Sequence, residues 1–288
     1  MDANSISKAI VIGGGTMGHG IAQVLAMAGI DTVLCDLSDE VLERAVSKIT
    51  ANLDKGVARG KVEQSARDAA LAKLSTHNDA GAASQGAQAI IEAVPESMDL
   101  KRKILAPLGE QSGPDVLIAS NTSSLSLTEL AGSIPHPERV TGMHFFNPVH
   151  IMKLVEVVRA DQSSEAAVQT TVDLAKRLGK DPITVIDRPG FASSRLGIAI
   201  GMEAIRMVEE GVASAEDIDK AMTLGYGHPM GPLKLTDLVG LDVRLSIAEY
   251  LSGTLGERFT PPELLRQMVA EDRLGKKNGR GFYDWSEG

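Results

Sequence analysis

The sequence predicts an α/β fold with a doubly wound, mostly parallel sheet, followed by an all-helical C-terminal domain. Up to about residue 187, short apolar runs alternate with helix-like stretches, as in chains whose parallel strands are joined by crossover helices. After residue 190 the strand signals cease, and apolar residues recur with the period of a helix. The 288 residues are enough for two medium domains. We therefore expect one domain over residues 1–187 and a helical domain over residues 188–288.

The order of the elements follows from the apolar runs and from the helical stretches between them. The expected strands are residues 8–12, 31–35, 89–94, 116–120, 140–146, 153–158 and 183–187. The expected helices are residues 16–28, 39–59, 62–73, 98–110, 126–132, 164–178 and 191–211, with further helices between residues 214 and 273. Ser214 and Asp217 fit a capping box where one of these later helices begins.

A glycine-rich turn, Gly13-Gly-Gly-Thr-Met-Gly18, joins the first strand to the first helix. Gly13 would permit a tight turn, Gly15 would leave room for a pyrophosphate, and Gly18 would let the helix approach the strand. The amides of Thr16 and Met17 would open the helix N-terminus, where free N–H groups and the helix dipole favour an anion. In a strand, turn, helix and strand context, this pattern predicts a Rossmann-type dinucleotide site rather than a turn without a ligand.

An acidic residue, Asp36, ends the second expected strand, 21 residues after Gly15. A carboxylate at this position can accept hydrogen bonds from the hydroxyl groups of the adenosine ribose. The same charge repels a 2′-phosphate. The sequence therefore predicts NAD rather than NADP as the cofactor.

Composition excludes several classes of partner. The net charge of −9 and the pI of about 5.2 argue against binding to nucleic acid or to an anionic membrane. The single cysteine, Cys35, can form no intrachain disulfide, which indicates a reducing compartment. No apolar run approaches the length of a membrane span, and the first strand begins by residue 8. We therefore expect a cytoplasmic protein. No set of His, Cys or acidic residues has the spacing of metal ligands, so no metal site is expected.

A one-sided basic stripe is expected on the helix over residues 39–59. The stripe consists of Arg44, Lys48, Asn52, Lys55 and Arg59. Such a stripe is unusual in an acidic protein and would suit a phosphate-rich carrier such as coenzyme A. A solvated outer helix face explains the same charges equally well, so both interpretations remain open.

A candidate catalytic pair lies within residues 140–158. If the two apolar runs fold back about residue 150, His144 falls opposite Glu156, close enough for a hydrogen bond. Glu156 interrupts an apolar run, and a buried lone carboxylate is costly unless it has a partner. Such a pair fixes the imidazole tautomer and raises its basicity, as a general base near neutral pH requires. The alternative is a structural histidine beside an edge-strand glutamate.

Seven motifs together resemble the L-3-hydroxyacyl-CoA dehydrogenase family, especially its short bacterial 3-hydroxybutyryl-CoA branch. In chain order they are GGGTMGHGIA, EAVPESMDLKRKIL, ASNTSSL, GMHFFNPVHIMKLVEVV, PGF, HPMGPLKLTDLVGLD and GRGFYDW. The resemblance covers nearly the whole chain and implies NAD-linked oxidation of a 3-hydroxyacyl-CoA to the 3-oxoacyl-CoA. It also implies a homodimer formed through the helical domain.

The resemblance also implies roles for individual residues. His144 takes the hydroxyl proton, Glu156 orients His144, and Ser123 contacts the substrate oxygen and the nicotinamide region. Cofactor-contacting positions are matched by Glu96, Lys101 and Asn147. Asn52 and Arg59 align loosely with coenzyme A contacts, and Lys55 lies beside them on the basic stripe.

One position departs from the family pattern. Ser194 stands where the family usually carries an asparagine that helps to hold the substrate oxygen. A serine hydroxyl can still donate one hydrogen bond, but it is shorter, and a water could bridge the gap. A packing or helix-surface serine is the other interpretation. Two rival functions also remain: a related dehydrogenase of a free hydroxy or sugar acid, of the lambda-crystallin and gulonate type, or a non-enzymatic NAD-binding homologue.

Overall fold

The chain divides after residue 188 into two compact units, Met1–Arg188 and Pro189–Gly288. The structure is a computed structural model that describes residues 2–286. Residues 1 and 287–288, the outer ends of the two expected domains, lie outside the described residues.

The first unit is built on one sheet, which contains eight strands within residues 2–286. The strands are β1 Lys8–Ile12, β2 Asp31–Cys35, β3 Leu74–His77, β4 Ala89–Glu92, β5 Leu117–Ser120, β6 Val140–Phe145, β7 Leu154–Arg159 and β8 Asp181–Ile186. Their order across the sheet is β3-β2-β1-β4-β5-β6-β7-β8. All neighbouring pairs are parallel except β6 and β7, which are antiparallel. The predicted mostly parallel, doubly wound sheet is confirmed.

Helices cover the sheet in the first unit and make up most of the second. Those of the first unit are α1 Thr16–Met27, α2 Asp39–Ala58, α3 Gln64–Ala72, α4 Ala80–Ser84, α5 Met98–Gln111, α6 Leu127–Ala131 and α7 Glu165–Arg177. Those of the second unit are α8 Ser193–Glu209, α9 Ala215–Gly225, α10 Pro232–Val239, α11 Leu241–Leu255 and α12 Glu263–Ala270. The predicted all-helical character of this part of the chain is confirmed.

Two short elements, β3 and α4, were not expected from the sequence. β3 is an edge strand with three exposed residues and therefore shows no apolar run, and α4 is only five residues long. A strand or helix of this kind is held by its neighbours rather than by its own pattern. Of the expected capping box of α9, the serine cap is present, because Ser214 Oγ accepts a hydrogen bond from the Asp217 amide at 3.1 Å. The Asp217 carboxylate accepts a hydrogen bond from the Ser214 hydroxyl at 3.1 Å.

The apolar runs form strands because both faces of the central sheet are covered. In β1, Ala9, Ile10 and Val11 are fully buried, which is typical of parallel strands packed between helices. Helix α2 begins after Ser38, whose hydroxyl caps the Val41 amide. The second unit has its own apolar core. No helix within residues 2–286 is both long and apolar enough to cross a bilayer.

Candidate active site

The glycine-rich turn lines a cleft of about 590 Å³ at the carboxyl ends of β1, β2 and β4. Gly13 has φ +101°, and a Cβ at this position would lie 2.7 Å from the Ala93 carbonyl oxygen. A Cβ at Gly18 would lie 1.7 Å from the Gly13 carbonyl oxygen, so only glycine allows α1 to pack this closely. At Gly15 a Cβ would meet no atom within 4 Å, which leaves open space over the backbone. The turn therefore fits a dinucleotide.

The N-terminus of α1 and Asp36 supply the polar groups of this cleft. No side chain caps α1, so the amides of its first turn, including those of Thr16 and Met17, are not taken up by a cap. Asp36 Oδ2 accepts a hydrogen bond from the Gly14 amide at 2.8 Å, and its Oδ1 accepts one from the Ser38 amide at 3.2 Å. These bonds hold the carboxylate at the wall of the cleft.

His144 and Glu156 form a buried pair on antiparallel strands. The register of β6 and β7 places the two residues directly opposite each other, as the sequence predicts. His144 Nδ1 lies 2.8 Å from Glu156 Oε2. Because a carboxylate only accepts, Nδ1 is the donor in this hydrogen bond, and a neutral imidazole in this tautomer carries its lone pair on Nε2. Glu156 is wholly buried, so it lies in the low-dielectric interior, where its attraction for a charged imidazole is strong.

The loop that carries Ser123 is anchored to Glu96. Glu96 Oε1 accepts hydrogen bonds from the Thr122 hydroxyl at 2.7 Å, the Ser123 amide at 2.9 Å and the Ser124 amide at 3.1 Å. These bonds and the charge of Lys101 lower the pKa of Glu96 against the opposing effect of its burial. Glu96 therefore shapes the Ser123 loop.

The same loop is tied to the strand of the histidine. Asn121 Oδ1 accepts a hydrogen bond from the Phe145 amide at 2.8 Å, next to His144. In this way the first unit brings the carboxyl ends of β5 and β6 together, and Ser123 and His144 extend from neighbouring strand ends.

Lys101, which the sequence places at the cofactor, is buried and paired within the protein. Its Nζ lies 2.7 Å from Glu92 Oε1 and 3.3 Å from Glu96 Oε2. Glu92 also accepts hydrogen bonds from the Val94 amide and from the Ser120 hydroxyl. Lys101 thus acts on Glu96 and the Ser123 loop, and a direct contact with the cofactor remains a prediction.

Sequence reasoning missed Glu92. The signal was present, because Glu92 ends the apolar run Ala89-Ile-Ile-Glu92, just as Glu156 interrupts one. The same argument about a buried carboxylate that needs a partner would have selected it and pointed to Lys101, nine residues further on.

The basic stripe meets a second cleft, of about 570 Å³. Asn52, Lys55 and Arg59 line this cleft, as does Lys61, which follows α2. The other two members of the stripe, Arg44 and Lys48, are exposed and lie outside the lining. The structure therefore divides the stripe: its C-terminal half borders a cleft, and its N-terminal half is an exposed helix surface.

The segment between β6 and β7 also lines the second cleft. Asn147 and His150 line it there, so Asn147 lies beside the basic residues rather than in the lining of the first cleft. Lys180 Nζ donates hydrogen bonds to the backbone carbonyls of Val149 and Met152 and so holds this segment. Burial, together with the charges of Lys180, His19 and Lys55, lowers the pKa of His150. Thr16 lines both clefts.

Ser194 lies in the second unit, in the first turn of α8. It is half-buried, and its contact with a substrate oxygen remains a prediction. Within residues 2–286, no three His, Cys, Asp or Glu side chains are grouped so that they could hold a metal ion.

A glycine-lined dinucleotide cleft and a buried histidine–carboxylate pair in one Rossmann unit define the class of nicotinamide-dependent dehydrogenases. Two family models match the chain. One describes the NAD binding domain of 3-hydroxyacyl-CoA dehydrogenase and matches residues 8–188, and the other describes its C-terminal domain and matches residues 190–285.

Known proteins are similar in sequence to nearly the whole chain. The 3-hydroxybutyryl-CoA dehydrogenase of Mycobacterium tuberculosis is 41% identical over 286 residues, which covers 98% of this chain and 100% of that protein. The 3-hydroxyadipyl-CoA dehydrogenase of Escherichia coli is 41% identical, over 98% of this chain and 59% of the longer relative. The crystal structure of the (S)-3-hydroxybutyryl-CoA dehydrogenase of Ralstonia eutropha superposes with a TM-score of 0.93 at 40% identity, covering 98% of this chain and 100% of that one.

The chain belongs to the 3-hydroxyacyl-CoA dehydrogenase family. It is an NAD-dependent oxidoreductase, so the resemblance and the cofactor inferred from the sequence are confirmed, and the non-enzymatic interpretation is set aside.

Proposed function

We propose that the enzyme interconverts an (S)-3-hydroxyacyl-CoA, with a short acyl chain, and the 3-oxoacyl-CoA, with His144 as the general base. The observation that carries this proposal is the 2.8 Å bond between His144 Nδ1 and the buried Glu156. In the oxidation direction, Nε2 of His144 accepts the proton of the C3 hydroxyl while the C3–H bond breaks. The imidazole becomes positively charged, and Glu156 stabilises that charge.

The first cleft fits the cofactor. Gly15 leaves its backbone open to the pyrophosphate, the first turn of α1 presents amides, and Asp36 would accept hydrogen bonds from the adenosine ribose hydroxyls. When bound there, NAD supplies the hydride acceptor. Lys101, buried behind the Ser123 loop, would act by fixing Glu96.

The second cleft fits the nucleotide end of coenzyme A. Lys55, Arg59 and Lys61 gather positive charge on one wall of a protein whose net charge is −9. A polyanionic carrier needs such a local field, because the remainder of the protein repels it. This arrangement favours a coenzyme A thioester over the alternative of a free hydroxy acid or sugar acid, which carries no diphosphate.

Ser123 and Ser194 are the residues that we propose for the substrate oxygen. Ser123 has its amide held by Glu96, so its backbone position is fixed. The relatives act, by their names, on 3-hydroxybutyryl-CoA and on 3-hydroxyadipyl-CoA. The names of these relatives therefore support a 3-hydroxyacyl-CoA as the substrate and allow acyl groups with different far ends.

The second unit is proposed as the dimer surface of a cytoplasmic homodimer. It exposes several large apolar side chains, among them Leu196, Ile200, Leu224, Tyr226 and Leu235. Apolar groups of this size on a helical surface favour association with a second copy. Sedimentation of the full chain at several concentrations tests this part of the proposal.

The decisive experiment is a set of initial rates in the reduction direction. Acetoacetyl-CoA, longer 3-oxoacyl-CoAs and free acetoacetate are compared, each with NADH and with NADPH. We expect turnover of the short thioester with NADH and at least tenfold lower kcat/KM with the free acid. Equal rates with the free acid would overturn the assignment of a coenzyme A thioester.

A further inference from the structure

Arg244, on α11 of the second unit, is a buried cation that the proposed mechanism does not use. It is only 6% exposed. Among residues 2–286 no acceptor lies within hydrogen-bond distance of its Nε, and none of the ion pairs involves it. Burial alone lowers its pKa to about 10, whereas a neighbouring carboxylate would raise it. Arg244 therefore remains charged at neutral pH without a counter-ion on the described chain.

A buried charge without a partner is costly, and proteins retain one where a ligand completes the pair. The absence of a side chain at Gly197 leaves room for the Arg244 guanidinium. A methyl group on Gly197 of α8 would lie 2.9 Å from Arg244 Nη1, so the guanidinium lies against the bare backbone of that helix.

A second unpartnered polar group, on α10, packs against the same face of α8. Thr236 is fully buried, and its Oγ1 has no hydrogen-bond partner among the described residues. The hydroxyl faces Gly201, where a Cβ would lie 3.3 Å from Oγ1. Gly197 and Gly201 are four residues apart and thus neighbours on one helix face. Two buried atoms without a hydrogen-bond partner on the described chain, Arg244 Nε and Thr236 Oγ1, therefore belong to side chains that pack against one stretch of α8.

We propose that Arg244 binds a carboxylate at the far end of the acyl group, so that the enzyme acts on 3-hydroxyacyl-CoA thioesters of dicarboxylic acids. The planar guanidinium matches a carboxylate bidentately. Arg244 is then a specificity-determining residue rather than a catalytic one.

The position of Ser194 links this site to the substrate. Ser194 and Gly197 are three residues apart in α8, one turn of the helix, and so share a face. This inference rests on the proposed function, in which Ser194 contacts the oxygen on C3. A carboxylate a few carbons beyond C3 would then lie one turn along α8, where Arg244 meets Gly197.

The test compares 3-oxoadipyl-CoA, which ends in a carboxylate, with 3-oxohexanoyl-CoA, which has the same chain length and a methyl end. The measured quantity is the ratio of their kcat/KM values in the full-length enzyme with NADH. We expect the wild type to favour 3-oxoadipyl-CoA and Arg244→Met to lower the ratio by roughly 10- to 100-fold, the range for a lost hydrogen bond to a charged group. Arg266→Met, a surface arginine of the same unit, is the matched control and should leave the ratio unchanged.

Gly197→Ala keeps the inference testable if Arg244→Met does not fold. The added methyl meets only the end of a flexible side chain, so it should displace the guanidinium and lower the ratio in a folded enzyme. A wild type that reduces 3-oxohexanoyl-CoA as well as 3-oxoadipyl-CoA would overturn the inference and leave the proposed function intact. A wild type that reduces no 3-oxoacyl-CoA at all would instead overturn the proposed function.

Discussion

Lys101 Nζ donates a hydrogen bond to Glu92 Oε1 at 2.7 Å, and the two side chains are 1% and 0% exposed. Glu96 Oε2 lies 3.3 Å from the same ammonium group, and Glu96 also holds the Ser123 loop. One buried cation therefore connects the end of β4 to the loop after β5. The connection explains why Lys101, for which the family resemblance implies a cofactor contact, is buried in the interior.

We predict that Glu92→Gln destabilises the protein by about 3–5 kcal/mol, the cost of leaving one partner of a buried ion pair uncompensated. Urea denaturation measures the free energy of unfolding. The matched control is Glu129→Gln, which breaks the exposed pair of Arg102 and Glu129 and should cost at most about 1 kcal/mol.

The double variant Glu92→Gln with Lys101→Met measures the interaction between the two side chains apart from their contacts with other residues. Because it removes the buried cation as well, it should be less destabilised than the sum of the two single variants. Additive losses would contradict a direct interaction between the two side chains.

We predict that His144→Gln lowers kcat by about 10²–10⁴-fold, the usual contribution of a positioned general base, while NADH still binds. NADH fluorescence titration and steady-state rates measure the two effects. Glu156→Gln keeps the shape of the pair but removes the charge that stabilises the imidazolium, so it should lower kcat and move the pH–rate profile. Near-normal kcat in folded His144→Gln would remove the proposed base.

Much of the fold and part of the site can be predicted from local pattern. The strand, glycine turn and helix at residues 8–28 can be predicted because Gly13 and Gly18 meet steric demands that no other residue satisfies, and Gly15 leaves open space over the backbone. The pairing of His144 with Glu156 is also predictable, because a turn midway between them fixes the register of β6 and β7.

Other features depend on contacts that no local pattern carries. The edge strand β3 has exposed residues and is held by its pairing with β2. The basic residues of α2 repeat evenly along the helix, yet only the C-terminal ones reach a cleft, because the segment at residues 147–151 covers that end alone. Arg244 carries no sequence signal, since a charge on an amphipathic helix is usually solvated.

We predict that Asp36 sets the preference for NADH. Asp36→Ala removes both the acceptor for the ribose hydroxyls and the charge that repels a 2′-phosphate, so KM for NADH should rise and the preference over NADPH should narrow. The ratio of kcat/KM for NADH to kcat/KM for NADPH measures this preference. Equal kcat/KM values for NADPH and NADH in the wild type would contradict a position of the adenosine ribose beside Asp36.

We predict that binding of coenzyme A at pH 7 takes up a proton through His150. Burial and the nearby positive charges hold the pKa of His150 below its usual value of 6.5, so the free imidazole is largely neutral at pH 7. A bound polyanion offsets those charges and raises this pKa, and the group then gains a proton as binding proceeds. Calorimetry in buffers of different ionisation enthalpy measures the uptake.

The matched variant for this experiment is His150→Gln. Protonation of the ligand's own phosphates contributes equally in both proteins, so the difference in proton uptake reports on His150. Equal uptake would place the polyanion away from the second cleft.

Finally, we predict that the two halves of the basic stripe differ in function. Lys55→Glu with Arg59→Glu should raise KM for the coenzyme A thioester and leave KM for NADH nearly unchanged, because these side chains line the second cleft. A contact far from the reacting carbon affects substrate binding more than kcat. Rising salt should weaken binding by the wild type more than binding by this variant.

Arg44→Glu with Lys48→Glu makes the same change of charge on the exposed half of α2 and should leave both KM values near those of the wild type. If both double variants raised KM for the thioester equally, the effect would come from net charge alone, and the second cleft would lose its assignment to the carrier.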